Sequence, residues 1–261
     1  MSERVTFSFG ENWQRYLDQL PPRAIETQAC YLANWLPEGV GGERLLDIGC
    51  GSGILSLVAW NAGAHVTSFD VDPASVAATR RLWERAGRPD NWTITEGSIL
   101  DPLFVGGLGA HHVVVSWGVL HHTGAMWDAI GNAAKLVSPG GVLWIALYRK
   151  GPRYPRDLAL KRAYNRAPDW GKAAMRTAWA GGRVGRCLLR GDFTLRRLRH
   201  YADERGMSWR RDIEDWLGGL PYEVTSPAEV HTFLFQRGFT LEKIDAGQGD
   251  GGNDVYRYRR H

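Results

Sequence analysis

Two acids and three glycines carry the first chemistry legible in this chain. In Arg44-Leu-Leu-Asp-Ile-Gly-Cys-Gly-Ser-Gly53 an apolar strand runs into alternating glycines, Gly49, Gly51 and Gly53, and the helical stretch Ile54 to Trp60 follows at once. Glycines at that spacing make a turn whose backbone can come close to a ligand lying at a helix N-terminus. A dinucleotide-binding loop would place its third glycine where this chain has Ile54, because that glycine lets helix and strand pack closely. Here an acid, Asp47, stands just before the first glycine. A carboxylate at that point repels a pyrophosphate but can hold an ammonium group. Asp70, which ends the next apolar stretch His65-Val-Thr-Ser-Phe-Asp70, is placed to accept hydrogen bonds from ribose hydroxyls.

An ammonium and a ribose on one ligand point to S-adenosyl-L-methionine. Around this loop the chain resembles the class I S-adenosylmethionine-dependent methyltransferases, in the type 11 branch that contains quinone O-methylating and C-methylating enzymes. The resemblance rests on Asp47-Ile-Gly-Cys-Gly-Ser-Gly53, Phe69-Asp70, Ser116-Trp-Gly-Val-Leu-His-His122 and Leu136-Val-Ser-Pro-Gly-Gly-Val142, and it covers residues 43 to 148. It implies an α/β fold, a three-layer Rossmann-like arrangement around a seven-stranded mixed sheet whose last strand is antiparallel. The cofactor site is expected to take in Asp47, Gly49, Cys50, Gly51, Gly53, Asp70, Val71, Ser98, Trp117 and Trp13.

Acceptor chemistry is expected beyond the carboxyl end of the fourth strand, where open α/β sheets bind their ligands. The chain has Ser116-Trp-Gly-Val-Leu-His-His122 there, with no Asn/Asp-Pro-Pro-aromatic motif for a planar nitrogen and no Pro-Cys pair for a cysteine adduct. His121 and His122 become the candidate bases, since a neutral imidazole can take the proton of a phenol or hydroxyl during in-line methyl transfer. His122 matches the histidine of the Leu-Glu-His pattern in the related quinone methyltransferases, and His121 replaces their Glu. That places His122 as the base, acting near pH 6 to 7, with His121 as a packed neighbour. No metal is expected. His111-His112 and His121-His122 are close in sequence, but adjacent strand residues point to opposite faces and no carboxylate or cysteine completes a set.

These residues need a scaffold, and the hydrophobic pattern alternates as βαβ units do. Strands are expected near 44 to 48, 65 to 69, 92 to 96, 113 to 117 and 142 to 148, with helices near 53 to 62, 73 to 86 and 124 to 137. Ser226-Pro-Ala-Glu229 is a capping box that opens a last helix to about Arg237, and Phe239 to Ile244 and Asp254 to Tyr258 supply the final strands. Ahead of the core, Asn12 to Leu20 and Pro22 to Trp35 read as helices of an aromatic arm that would close over the cofactor and exclude water. The expected organisation is a 1–42 arm, a 43–148 core, a 149–225 cap and a 226–261 segment that completes the sheet.

The cap differs in kind from the core. Arg149 to Arg211 holds 18 Lys or Arg against 5 acids, a net +13 in a chain of net +4, so that the remainder carries −9. A cationic helical cap suits an anionic acceptor, a membrane surface or a nucleic acid, or forms a solvated face. Beyond it, Trp216, Gly218, Gly219, Pro221 and Tyr222 read as a loop of fixed turns, either an acceptor wall or a junction with the core. Three scattered cysteines and the absence of a signal-like or membrane-spanning run suggest a cytoplasmic protein. The reading is a methyltransferase for a small or lipid-like acceptor, anionic if the charge of the cap recruits it, with O-methylation favoured. An RNA methyltransferase clamping phosphates with the cap, and a non-catalytic cofactor-binding regulator, are the alternatives.

Overall fold

The computed structural model describes residues 29–189, 209–247 and 252–261. Its strands are β1 (Arg44–Ile48), β2 (His65–Asp70), β3 (Trp92–Glu96), β4 (His111–Trp117), β5 (Val137–Tyr148), β6 (Phe239–Asp245) and β7 (Asn253–Arg260). Its helices are α1 (Ile54–Asn61), α2 (Pro73–Arg85), α3 (Pro102–Leu108), α4 (Met126–Lys135), α5 (Tyr154–Arg166), α6 (Asp169–Leu189), α7 (Trp209–Gly218) and α8 (Pro227–Phe235). The strands form one seven-stranded sheet in the order β3-β2-β1-β4-β5-β7-β6. Strands β1 to β5 run parallel and β7 lies antiparallel between β5 and β6. This is the Rossmann-like mixed sheet expected from the sequence.

Strand period divides the core into two layers, because successive side chains point to opposite faces. Leu45, Val66, Val113, Val115 and Trp144 pack on one face with Ile54, Val58 and Leu82 of α1 and α2. Leu46, Ile48, Val114, Leu143, Ile145 and Leu147 pack on the other with Ile130 of α4 and Val230 and Leu234 of α8. Buried on both sides, the central strands read as continuous apolar runs. The cap contributes a smaller cluster, in which Tyr164 of α5 meets Ile213 and Leu217 of α7.

Several boundaries move from their expected places. Strands β4 and β5 begin at His111 and Val137, earlier than expected, because a bulge between His111 and Val113 absorbs the irregular Ser138-Pro-Gly-Gly141 stretch. Helix α3 gave no hydrophobic period, since Gly106 and Gly107 occupy its last turn. It exists because the Asp101 carboxylate accepts from the backbone of Leu103 at 2.9 Å and Phe104 at 3.4 Å, with Pro102 in the first turn. Trp216 and Gly218 were expected in a loop and instead lie in α7, where Trp216 stacks on Trp179 of α6 at 4.4 Å. Of the expected Pro22 to Trp35 helix, the described part is helical over residues 29–33 and turns away after that. The Asn12 to Leu20 helix lies outside the described residues. The capping box of α8 is present as expected, with Ser226 and Glu229 bonded reciprocally.

Candidate active site

At the carboxyl edge of the sheet the glycine turn, the end of β2 and the turn after β4 come together. The backbone N–H groups of Gly49 and Cys50 donate to the carbonyl of Phe69, at 2.8 and 3.1 Å, which ties the turn to the last residues of β2. Gly49, Gly51 and Gly53 all have positive φ. At Gly49 a β-carbon would stand 2.5 Å from both methyl groups of Val119. The glycine turn therefore lies directly against the residue that leads into the helical turn Leu120–His122. Gly49→Ala is expected to lower folding stability by about 1–3 kcal/mol, from left-handed strain and overpacking together. Thermal unfolding of Gly49→Ala beside Gly49→Ala/Val119→Ala checks this, and equal midpoints for the single variant and wild type would refute the close fit.

Asp47 sits at the end of a buried polar relay. Trp92 Nε1–H donates to Ser68 Oγ at 2.9 Å, and the Ser68 and Ser56 hydroxyls are 2.7 Å apart. Ser56 Oγ in turn donates to Asp47 Oδ2 at 2.5 Å. Because the indole can only donate, the whole chain is polarised toward the carboxylate. Burial pushes the Asp47 carboxyl up to about 7, the hydrogen bond from Ser56 opposes that rise, and the Asp70 charge adds to it. Such an acid is half ionised near neutrality, and a ligand ammonium would restore its full charge.

Asp70 has both oxygens engaged with the loop. Oδ2 accepts from Gly51 N at 3.0 Å and Oδ1 from Asp72 N at 2.9 Å. Burial raises its carboxyl above the ordinary range, while the backbone N–H groups of Asp72 and Gly51 pull it down. Asp70→Ala would release both the loop and any ribose contact, and is expected to weaken cofactor binding by about 1–3 kcal/mol. Calorimetric titration measures it, and an unchanged dissociation constant would remove Asp70 from the site.

The remaining expected cofactor residues are distributed around this edge. Cys50 is buried, with its thiol accepting from Thr79 Oγ1 at 3.2 Å and pushed well up by burial. Val71 is 57% exposed just beyond β2, which leaves its apolar side chain open next to Asp70 in sequence. Ser98 lies past β3 and accepts from Leu100 N at 3.2 Å. Trp117 ends β4 and packs edge-on to Trp144 at 5.6 Å and Tyr31 at 5.7 Å. Trp13 lies outside the described residues.

Both histidines are buried, and each has a defined partner. His122 Nδ1 is 2.7 Å from the carbonyl oxygen of Pro221. A carbonyl only accepts, so His122 carries its proton on Nδ1 and presents Nε2 as the basic atom. His121 Nδ1 accepts from Tyr148 N–H at 3.3 Å, which places its proton on Nε2. The rings lie 4.4 Å apart. Burial lowers the His122 imidazole to about 4, the hydrogen bond to Pro221 raises it, and the Lys161 charge lowers it further. His121 is held well below the ordinary range by burial first, then by His122 and Lys161. His122 is thus neutral at physiological pH, but not with the acidity of 6 to 7 expected from the sequence. The other pair, His111-His112, is at the amino end of β4, at the opposite edge of the sheet.

Residues 46–143 match a family model described as a methyltransferase domain. The core is a methyltransferase domain. A ubiquinone biosynthesis O-methyltransferase of Pseudomonas aeruginosa is 32% identical to this chain over 123 residues, covering 46% of this chain and 51% of the relative. The enzyme of the same name from Methylocella silvestris is 28% identical over 131 residues, half of each chain. The match thus spans about half the length of these curated relatives. Among solved structures, magnesium protoporphyrin IX methyltransferase from Synechocystis, with bound S-adenosylhomocysteine, superposes with a TM-score of 0.59 at 16% identity, over 96% of this chain and 94% of that one. A methyltransferase solved with the Trm112 activator from Haloferax volcanii gives 0.58 at 12% identity, over 97% and 96%.

Outside the methyltransferase motifs, the segment after α7 contributes contacts that sequence reasoning missed. Pro221 grips His122, Glu223 N donates to the His121 carbonyl at 3.0 Å, and Glu223 Oε2 accepts from Met126 N at 3.1 Å at the start of α4. Lys161 of α5 is fully buried, with its ammonium donating to the Trp216 carbonyl. That ammonium lies 4.6 and 4.5 Å from the ring centroids of Trp216 and Tyr222. Asn253, at the start of β7 beside Gly118, has a buried Oδ1 without a hydrogen-bond partner among the described residues. The described residues contain no group of three or more metal-type ligands, and none of their helices is long and apolar enough to cross a membrane.

Proposed function

We propose that the chain is an S-adenosylmethionine-dependent methyltransferase that O-methylates a small or lipid-like hydroxylated acceptor. The observation that carries this reading is the contact between Gly49 and Val119, which sets the cofactor loop one residue away from the turn that presents His122. Fit to the cofactor rests on this chain's own atoms. Asp47 is a buried acid with raised basicity beneath the glycine turn, suited to an ammonium, and Asp70 with exposed Val71 beyond β2 suits a ribose and an apolar base. When bound, the cofactor supplies an electrophilic methyl on a sulfonium. His122 receives the acceptor proton at Nε2, and the Pro221 carbonyl holds that ring in the required tautomer.

The names of the sequence relatives support oxygen over carbon or nitrogen as the methylated atom. Labelled-methyl transfer into separated phenolic, lipid and RNA fractions tests the proposal. Label in hydroxylated small molecules or lipids is expected. Label confined to RNA would favour the phosphate-clamp alternative, and tight cofactor binding without transfer to any fraction would favour a regulator.

A further inference from the structure

A line of four polar groups crosses the apolar layer between the sheet and helices α1 and α2. Trp92 starts β3, Ser68 lies in β2, Ser56 in the first turn of α1 and Asp47 in β1, and none is more than 2% exposed. Strand alternation puts Asp47 on the face of Leu45 and Ser68 on that of Val66, both of which pack in that layer. Burying two hydroxyls and an indole N–H there is unfavourable unless each is satisfied, and here they satisfy one another in a fixed order. The indole can only donate, and it does so to Ser68 Oγ at 2.9 Å. The Ser56 proton is committed to Asp47 Oδ2 at 2.5 Å, so across the 2.7 Å contact Ser68 donates and Ser56 accepts. All three dipoles then point at the carboxylate. A proton on Asp47 Oδ2 would turn both hydroxyls round, and Ser68 would accept twice with its own hydrogen left outside the line. The arrangement suits the ionised acid.

We propose that Ser56, Ser68 and Trp92 are positioning residues for the cofactor: they hold Asp47 ionised beneath the glycine turn, and so couple affinity for an ammonium-bearing ligand to an indole on β3. This rests on the reading of Asp47 as the partner of the cofactor ammonium and deepens it.

An acid in this place needs the support. Burial raises the Asp47 carboxyl, and the Ser56 hydroxyl is the strongest influence in the other direction. What else faces the acid does not favour its charge. Asp70 of β2 opposes it, the Cys50 thiol of the turn is kept neutral by burial, Val115 of β4 lies opposite in register, and α1 carries no charged side chain. A hydrogen bond to an ionised group is stronger than one between neutral partners, and a donor that itself accepts a hydrogen bond is strengthened further. Ser56 therefore acts on the acid directly, and Ser68 and Trp92 act through Ser56.

The test is calorimetric titration of the whole chain with S-adenosylhomocysteine, which carries an ammonium and a ribose, at pH 6 and pH 8. Cutting the line removes support for the anion, so Asp47 ionises only at higher pH. At pH 6, Ser56→Ala should weaken binding about tenfold and Ser68→Ala about threefold, and both losses should shrink to within about twofold at pH 8. Trp92→Phe, which keeps a ring but loses the N–H, should behave as Ser68→Ala does. Should that variant fail to fold, the near-isosteric Ser68→Ala and the double variant decide the matter. In a Ser56→Ala background, Ser68→Ala should change affinity no further, because the line is already cut. Losses that are equal at pH 6 and pH 8, or that add in the double variant, would reduce the serines to packing and overturn the proposal. Wild-type affinity in Ser68→Ala at pH 6 would overturn it as well. Unchanged affinity in Asp47→Asn would take the acid out of the cofactor site, and failure of the wild-type chain to bind would count against the cofactor reading itself. Either result brings the proposal down with it.

Discussion

His122→Ala is expected to slow methyl transfer by about a hundredfold or more while leaving cofactor affinity within about threefold. The hydrogen bond from Nδ1 to Pro221 leaves Nε2 as the basic atom of this imidazole, and removing the ring takes away the proposed destination of the acceptor proton. His122→Asn should be nearly as slow, because an amide can still donate to Pro221 but cannot take a proton. The pH dependence follows from the same burial. Protonation disables the base, so the wild-type rate should fall as pH drops through about 4 and stay level from about 5 to 8. A rate that climbs through 6 to 7 would mean that bound ligand relieves the burial of the ring. A His122→Ala variant that keeps most of its rate across that range would remove the base assignment, and positioning alone would then have to account for transfer.

The parts of the site that the sequence made legible are those whose chemistry is local. The glycine turn, Asp47 and Asp70 lie within a few residues of the strands that end at them, and strand, turn and helix each have a short-range pattern. The basicity of His122 was not legible, because its partner Pro221 and the lysine that faces it are carried by other segments. Its hydrogen bond to Pro221 spans 99 residues. The burial of His121 Nε2 without a partner among the described residues was equally hidden, since only packing reveals such an atom.

Charge in the cap was legible as a total but not in its placement. Read as a string, Arg149 to Arg211 is a cationic surface, yet Lys161 is enclosed and Arg149 and Arg176 are tied to acids. Arg149 is bonded to Asp254, which is 0% exposed, Lys161 is buried among aromatic rings, and Arg176 donates to both Tyr164 and Glu214 at 3.0 Å. These three hold the cap to the core and to itself. Net charge over a segment counts such groups as surface, and the hydrophobic pattern of a broken helix does not mark which basic residues are enclosed. The arginines Arg196, Arg197 and Arg199 lie outside the described residues.

Asp47→Asn should separate stability from binding. In the folded protein the Asp47 carboxyl sits at about 7, against 3.8 for the free group. The folded state therefore holds a proton that the unfolded chain has lost, and stability falls as pH rises from about 4 to 7. That difference corresponds to about 4 kcal/mol at pH 8, an upper figure because local relaxation and water reduce it. Asn keeps an oxygen for Ser56 without the charge, so the ligand-free variant should melt several degrees above wild type at pH 8 and show little difference at pH 4. Cofactor binding should move in the opposite direction. A ligand ammonium favours the ionised carboxylate, so wild-type affinity should rise with pH up to about 7, with a proton released on binding, whereas the variant should bind weakly at every pH. Calorimetry at pH 6, 7 and 8 in buffers of different ionisation enthalpy measures both quantities. Unchanged affinity in Asp47→Asn would leave the acid as the terminus of the Trp92, Ser68 and Ser56 relay and nothing more. The gain in stability alone, with binding lost, is the signature of a charge kept buried for a ligand.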